Sequence, residues 1–471
     1  MRRISTLHDV PARDNPALWR VALMSLVLTN LVFLSIGLGG CAGPKRTPPV
    51  ETEHLPDLAP AIGTPTLLGV GLLEKENSLE ISTSGPALVL DGADGRRLAR
   101  LDGPGKLVCK RDGRKVAWQA GGSKGTSDTV ILQPLDPDHR VIHGDSEYRG
   151  EFLVRPTPGG PGLTLVNHLD LESYLRGVVP WEIGRHGRNR MAALEAQAVA
   201  ARTYTLSHLG TRKSRGFDLY ASVQDQVYKG SADEDPLCNL AVDNTAGLVL
   251  RYENEEIEAY YSACCGGVSS NIEEVWARGP RPYLISKPDS PGADAEAYCS
   301  TSKHFHWREV WTAERLQEIM QKSLPEYVKY MTQPGRTDWA GPVFTPRDGS
   351  ASADRPGGLR NLEILARTTS GRVAQLAVTT DAGVYHVRGD RVRWVLKPSG
   401  GNPFILRSAM FEVELVRDGD RLVEVATRGR GYGHGIGLCQ TGALIMAEQG
   451  NNVREILAHY YPGSVLDEVG Q

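Results

Sequence analysis

The sequence predicts an α+β fold: a mixed domain of short helices around antiparallel sheets, preceded by a small β-rich domain. Three observations predict it. Between Ala87 and Trp118, short apolar runs alternate with four Asp-Gly pairs; residues 190–209 are an unbroken stretch of helix formers; residues 360–427 return to alternating apolar and polar positions. No segment repeats. The 471 residues are 40% hydrophobic and 23% charged, which excludes a disordered, collagen-like or coiled-coil chain. Lys and Arg number 53 against 56 Asp and Glu, a formal charge of −3. Nucleic-acid binders usually carry a basic surplus, so nucleic acid is not an expected partner.

The first 40 residues read as an export signal. Arg2, Arg3, Arg13 and Arg20 precede an apolar stretch from Val21 to Leu38, and small residues follow. The ending Leu38-Gly39-Gly40-Cys41 resembles a bacterial lipobox, in which Cys41 is lipidated and becomes the first mature residue. The alternative is a transmembrane anchor with a chance cysteine. Either reading exports the rest of the chain. The expected location is the cell envelope, as a membrane-anchored lipoprotein. Ala42 after the cysteine is compatible with the periplasmic side of the outer membrane in a Gram-negative host. Residues 41–60, rich in Pro, read as a tether.

Residues 61–147 read as β structure. Asp91-Gly92, Asp94-Gly95, Asp102-Gly103 and Asp112-Gly113 supply hairpin turns, because glycine reaches the positive φ that tight turns need. Residues 148–466 form the main domain. Asp170 is a plausible N-cap for a short helix at 171–175. Within 190–209, Leu194, Ala198, Ala201 and Thr205 share one helix face. Residues 248–252 and 257–261 read as strands. Residues 335–358, rich in Gly, Pro, Asp and Arg, read as an insertion or loop. The end is a glycine-rich loop at 429–437 and helices near 441–449 and 452–459.

Chemistry concentrates in three places. Glu182 stands between Trp181 and Ile183. A carboxyl among apolar groups loses hydration of its charged form, so its pKa rises and it can act as a general acid. A solvated helix-end carboxylate is the alternative. The second place is Gly429 to Gly437, five glycines alternating with other residues. It lacks a phosphate-loop ending and the dinucleotide spacing. His434 in it is either a ligand donor or a hydrogen-bonded structural histidine. The third is Tyr260 to Gly267, with Cys299, His304 and His306 downstream. Cys265, Cys299 and one His form one possible metal set. A disulfide between Cys299 and either Cys264 or Cys265 needs fewer coincidences, and export permits it. No metal and no cofactor is expected.

Together these motifs resemble the SpoIID/LytB family, the sporulation lytic transglycosylase and its amidase-enhancer relatives. The residues that carry the resemblance are Asn167 to Glu182, Ala193 to Tyr204, Gln226 to Gly230, Cys265-Gly266-Gly267 with Trp276, Gly431 to Ala443, and His459 to Gly463. These blocks are ordered and spread from about 148 to 466, so the match spans about two-thirds of the chain. The resemblance implies a peptidoglycan protein of the bacterial envelope, with the family glutamate at Glu182. Catalytic members cleave denuded glycan strands between N-acetylmuramic acid and N-acetylglucosamine, leaving 1,6-anhydro-muramic ends. One carboxylate suffices for that reaction: the sugar's own 6-hydroxyl attacks, so no second carboxylate has to activate water. Arg202, Tyr204, Gly433, His434 and Gln440 are the candidates for touching sugar or holding Glu182; Arg202 and Tyr204 are equally readable as packing or salt-bridge residues.

The sequence departs from the family pattern at the metal position. Zinc-carrying relatives have a His shortly after Cys-Gly-Gly and paired cysteines downstream; here Val268 and Ser269 follow, and Cys299 stands alone. The competing functions are a non-catalytic enhancer that engages an N-acetylmuramoyl-L-alanine amidase and a glycan-recognising scaffold. The resemblance does not by itself imply sporulation.

Overall fold

The computed structural model describes residues 66–469 apart from 293, 335, 337–339, 350 and 402–403. The expected signal, Cys41 and the tether lie outside the described residues. The architecture is α+β, as the patterning predicts: antiparallel sheets with helices packed against them.

The first half of the chain builds two sheets. A seven-stranded sheet runs in the order Leu219–Tyr220, Leu67–Glu76, Leu163–Asp170, Glu151–Pro156, Val130–Pro134, Ala87–Asp91, Arg97–Leu101. A six-stranded sheet runs Ser146–Tyr148, Val141–His143, Ser78–Thr83, Gly105–Asp112, Lys115–Ala120, Ser123–Ser127. Strands such as Ser78–Thr83 alternate buried and exposed positions, so each sheet turns one apolar face inward. Leu79, Ile81, Leu107 and Trp118 join Val89, Leu132, Phe152 and Val154 in one core. The seven-stranded sheet takes strands from both sides of residue 147. Leu67–Glu76 pairs with Leu163–Asp170 in the register Leu67 to Asp170, so the N-terminal strand leads straight into the first helix.

The Asp-Gly pairs divide into two kinds. Gly95 and Gly113 take φ of 71° and 57° at turns; Gly92 and Gly103 do not. Gly92 is needed for another reason: a Cβ there would sit 2.7 Å from Thr129 Cγ2.

Helix Leu171–Glu182 starts where expected. Asp170 accepts a 2.9 Å hydrogen bond from the Ser173 N–H, satisfying one of the free donors of the first turn. Helix Met191–His208 follows. The expected face of Leu194, Ala198, Ala201 and Thr205 is buried, but so are Ala193, Ala196, Val199, Ala200 and Thr203. Small side chains let neighbours approach on nearly every side, so this helix is central rather than amphipathic. The closing helices are Gln440–Glu448 and Val453–Tyr460, the latter with a reciprocal Asn452–Glu455 cap.

Residues 306–430 build a second apolar core that the sequence did not reveal. Trp311, Leu316, Leu324, Tyr385, Val387 and Val425 belong to it. Around it lie a sheet of His306–Thr312, Arg421–Arg430 and Phe411–Asp418, a sheet of Phe344–Pro346, Gly383–Arg388, Val373–Thr380 and Leu359–Arg367, and helix Ala313–Met331. The 335–358 segment thus contributes an edge strand, Phe344–Pro346, paired with Gly383–Arg388.

Candidate active site

Glu182 is the last residue of helix Leu171–Glu182 and is half-buried. Its Oε1 accepts a 2.7 Å hydrogen bond from the backbone N–H of Val227, and the Gln440 side chain donates to the same carboxyl. Burial raises its pKa from 4.5 to about 7, although both hydrogen bonds favour the charged form. No second carboxylate figures among the described residues that shift it.

The segment that presents Val227 is fixed from both sides. Gln226 is buried; its Oε1 accepts from Tyr174 Oη at 3.2 Å and Thr205 Oγ1 at 2.8 Å, and its Nε2 donates to Tyr261 Oη at 2.9 Å. Tyr228 Oη donates to Asn167 Oδ1 at 2.8 Å. Gly177 makes this approach possible, since a Cβ there would meet the Tyr228 ring at 2.5 Å. Gln440 is held in turn, its Nε2 donating to Gln197 Oε1 at 3.2 Å. The carboxyl therefore sits in a cage of amides and phenols, with no cation among the described residues. Gln226, Gln197, Tyr174 and Tyr261 lie in the motif stretches of the sequence, but no site role was assigned to them. The available signal was a glutamine inside an otherwise apolar helix, at Gln197, and another just before the Val-Tyr pair.

The other candidates fall elsewhere. Arg202 is fully buried and forks onto Glu172 at 2.8 and 2.7 Å, while also donating to the carbonyls of Leu248 and Val242. Glu172 and Glu182 occupy opposite ends of one helix, about 15 Å apart along its axis. The salt-bridge alternative describes Arg202, and a sugar contact beside Glu182 does not. Tyr204 is buried, stacks on His208 at 4.0 Å, and its Oη reaches Asp225 at 3.4 Å.

His434 follows the structural alternative. Its Nδ1 accepts from the Ile436 N–H at 3.0 Å, the ring also bonds the Tyr261 backbone, and burial lowers its pKa to about 4. The neutral ring lies 4.8 Å from Trp276. The glycines of this loop also face inward. Gly433, at φ 112°, would put a Cβ 2.6 Å from Ser262 Cβ, and one at Gly431 would sit 2.8 Å from the Cys264 carbonyl oxygen. A Cβ at Gly435 would collide with the Arg372 guanidinium. These glycines let the loop lie against residues 260–266 and Arg372.

The six described cysteines are free thiols. Cys265 Sγ faces Cys299 Sγ at 3.6 Å, whereas Cys264 Sγ lies against the Cys299 carbonyl at 3.9 Å. Neither downstream histidine joins them: the His304 ring packs on Tyr432 at 4.7 Å, and His306 is exposed on its strand. A cleft of about 1100 Å³ is lined by Asp170 to Ser173, at the end of the helix away from Glu182.

Residues 160–252, which contain Glu182, Gln197, Gln226 and Val227, match the family model for the stage II sporulation protein, SpoIID. Residues 347–437 match a domain of unknown function, DUF8618, most of it in the second core. An uncharacterised protein of Brachyspira hyodysenteriae is 28% identical over 318 residues, covering 67% of this chain and 71% of that protein. The amidase enhancer of Bacillus subtilis is 29% identical over 315 residues, 62% of this chain; the match spans only 40% of the enhancer. Stage II sporulation protein D of Bacillus amyloliquefaciens is 29% identical over 356 residues, 71% of this chain and 86% of that protein. Residues 160–252 thus form a SpoIID domain, and the chain is similar over most of its length to proteins named stage II sporulation protein D and amidase enhancer.

Proposed function

We propose that this protein is an exported lytic transglycosylase acting on peptidoglycan, with Glu182 as its single acid and base. The observation that carries the reading is the Glu182 environment: a carboxyl with a pKa of about 7, two donors and no cation. Near neutral pH a large fraction of it is protonated and can give its proton to the glycosidic oxygen of a muramic acid–glucosamine bond. The resulting carboxylate then takes the proton of the 6-hydroxyl as that oxygen closes on C1. The Val227 N–H and Gln440 hold the carboxylate between the two steps. Trp181, 43% exposed beside the acid, offers a flat apolar face for a sugar ring. The substrate is a denuded glycan strand, and Cys41 supplies the lipid anchor that keeps the protein in the envelope.

The second reading is an enhancer that engages a murein amidase, favoured by the similarity to a protein named amidase enhancer. Incubating the purified chain with denuded glycan separates the two. The enzyme reading expects anhydro-ended fragments by mass spectrometry, lost in Glu182→Gln. Stimulation of an added amidase without anhydro products establishes the enhancer. The anchor is tested by palmitate labelling, expected in the wild type and absent in Cys41→Ala.

A further inference from the structure

One exposed sheet face beside the second core carries a charge pattern that the fold does not ask for. Strands His306–Thr312 and Arg421–Arg430 pair with His306 opposite Arg430 and Arg308 opposite Arg428. All four side chains are exposed, while Trp307, Trp311 and Val425 of the same strands turn into the core. Directly opposite side chains of an antiparallel pair stand about 5 Å apart, and like charges so placed are destabilising. Three guanidiniums and an imidazole therefore form a two-by-two block. Strand His306–Thr312 is the edge of its sheet, so no third strand brings a carboxylate to Arg308.

The nearby acids are engaged elsewhere or distant. Glu412 pairs with Arg367 at 2.6 Å, and Glu414 with Arg428 Nε at 2.9 Å. Glu424 lies toward the other end of its strand, opposite Thr312. The Arg308 and Arg430 guanidiniums have no carboxylate partner among the described residues. They line a cleft of about 710 Å³ with Arg428, His306, Arg367 and Met410. A planar guanidinium presents paired donors that match a carboxylate or a phosphate. We propose that Arg308 and Arg430, with Arg428 and His306 beside them, bind carboxylate groups of an anionic glycan strand.

The choice of ligand rests on the reading of the substrate as a denuded muramic-acid glycan. Removing a stem peptide leaves a free lactyl carboxylate on each muramic acid, so a denuded strand is a row of anions. A strand that keeps its peptides has amides at those positions. The block thus favours the denuded state by charge, at a place apart from the acid that cleaves: none of the cleft's lining residues belongs to the Glu182 cage. The two are nevertheless joined through the chain. Arg430 leads directly into the glycine loop, which lies against residues 260–266, and Tyr261 of that segment bonds Gln226 beside Glu182. Arg428 and Arg430 fall in the stretch that matches a domain of unknown function, which thereby gains a ligand.

The test reads binding, not cleavage, so its failure is distinct from failure of the Glu182 assignment, which anhydro products report separately. The full chain carrying Glu182→Gln is titrated with labelled denuded glycan fragments, and with the same fragments after their carboxyls are reduced to alcohols. Intact fragments should bind about tenfold more tightly than reduced ones, the worth of a charge-assisted hydrogen bond, and added salt should shrink the difference. Adding Arg308→Gln and Arg430→Gln should erase that preference while the melting temperature stays or rises, because like charges leave the face. Equal binding of intact and reduced glycan by the parent protein, or a preference that survives the two substitutions, overturns the proposal. So does tight binding of phosphatidylglycerol vesicles that the two substitutions abolish while glycan binding is unchanged, which would give the block to lipid phosphate instead.

Discussion

Two glutamates on one helix meet opposite fates. At its start, Glu172 faces the buried Arg202 through a two-pronged ion pair. At its end, Glu182 faces amides, phenols and a backbone N–H, with no cation, and its pKa climbs to about 7. The first arrangement fixes a charge and joins two helices. The second leaves a proton exchangeable near neutral pH. A buried carboxylate that only holds a fold is best paired; one that must hand over a proton has to be left without a counter-charge.

The sharpest test of that contrast removes the exchangeable proton. Glu182→Gln keeps size and hydrogen bonding, and should lower glycan cleavage roughly 10²–10⁴-fold, the usual range for a general acid. The fold should survive. Cleavage within threefold of wild type would end the assignment. The companion change is Arg202→Met. It should cost roughly 2–4 kcal/mol in denaturant unfolding, the lower part of the range for breaking a buried pair, because Glu172 keeps 32% of its side-chain surface exposed. Cleavage per folded molecule should barely change. A raised KM at unchanged stability would instead return Arg202 to the substrate site.

The glycine loop tests whether close packing or open space governs its composition. Gly433→Ala places a Cβ at φ 112° against Ser262, so a loss of about 2 kcal/mol or more is expected from backbone strain plus overlap. Activity should fall in parallel with melting temperature. Activity lost at unchanged melting temperature would mean that the loop faces ligand after all.

These cases also mark what the sequence could reveal. Local signals were legible: the Asp170 cap, the glycine turns at 95 and 113, the closing helices, and Glu182 between two apolar neighbours. Pairings across distance were not. Arg202 finds Glu172 thirty residues earlier, and nothing local distinguishes an ion pair from a sugar contact. Cys439 meets Cys265 across 174 residues. The second core escaped because its strands and helix are spread over 306–430 and interrupted by polar, turn-rich sequence. The glycine loop stayed open to two readings because a missing side chain reads the same whether ligand or backbone fills the space.

The raised pKa of Glu182 carries a stability consequence. In the folded state burial favours the neutral acid, so its contribution to stability is fully present below about pH 4.5 and is lost as pH rises through about 7. Glu182→Gln cannot ionise. Its unfolding free energy should match wild type near pH 4 and exceed it at pH 8 by up to about 3 kcal/mol, the ceiling set by the shift. A constant difference across that range would show that Glu182 titrates normally. The same ionisation should make cleavage decline above pH 7, as the acid form disappears.

The smallest expected effect asks which group tunes that ionisation. Gln440 donates to the Glu182 carboxyl and favours its charged form, opposing burial. Gln440→Leu removes this donor while keeping an apolar body of similar size. The pKa of Glu182 should move up, carrying the alkaline limb of the cleavage profile to higher pH. The plateau rate should fall less than about tenfold, the worth of roughly one hydrogen bond, because the Val227 N–H still orients the carboxyl. The direction of the limb is diagnostic. A residue that only packs the last helices would lower stability and leave the limb in place, whereas one that binds sugar would raise KM and leave the limb in place. An upward shift with KM unchanged identifies Gln440 as a group that acts through Glu182, completing the contrast with Glu172, which Arg202 meets in a two-pronged ion pair.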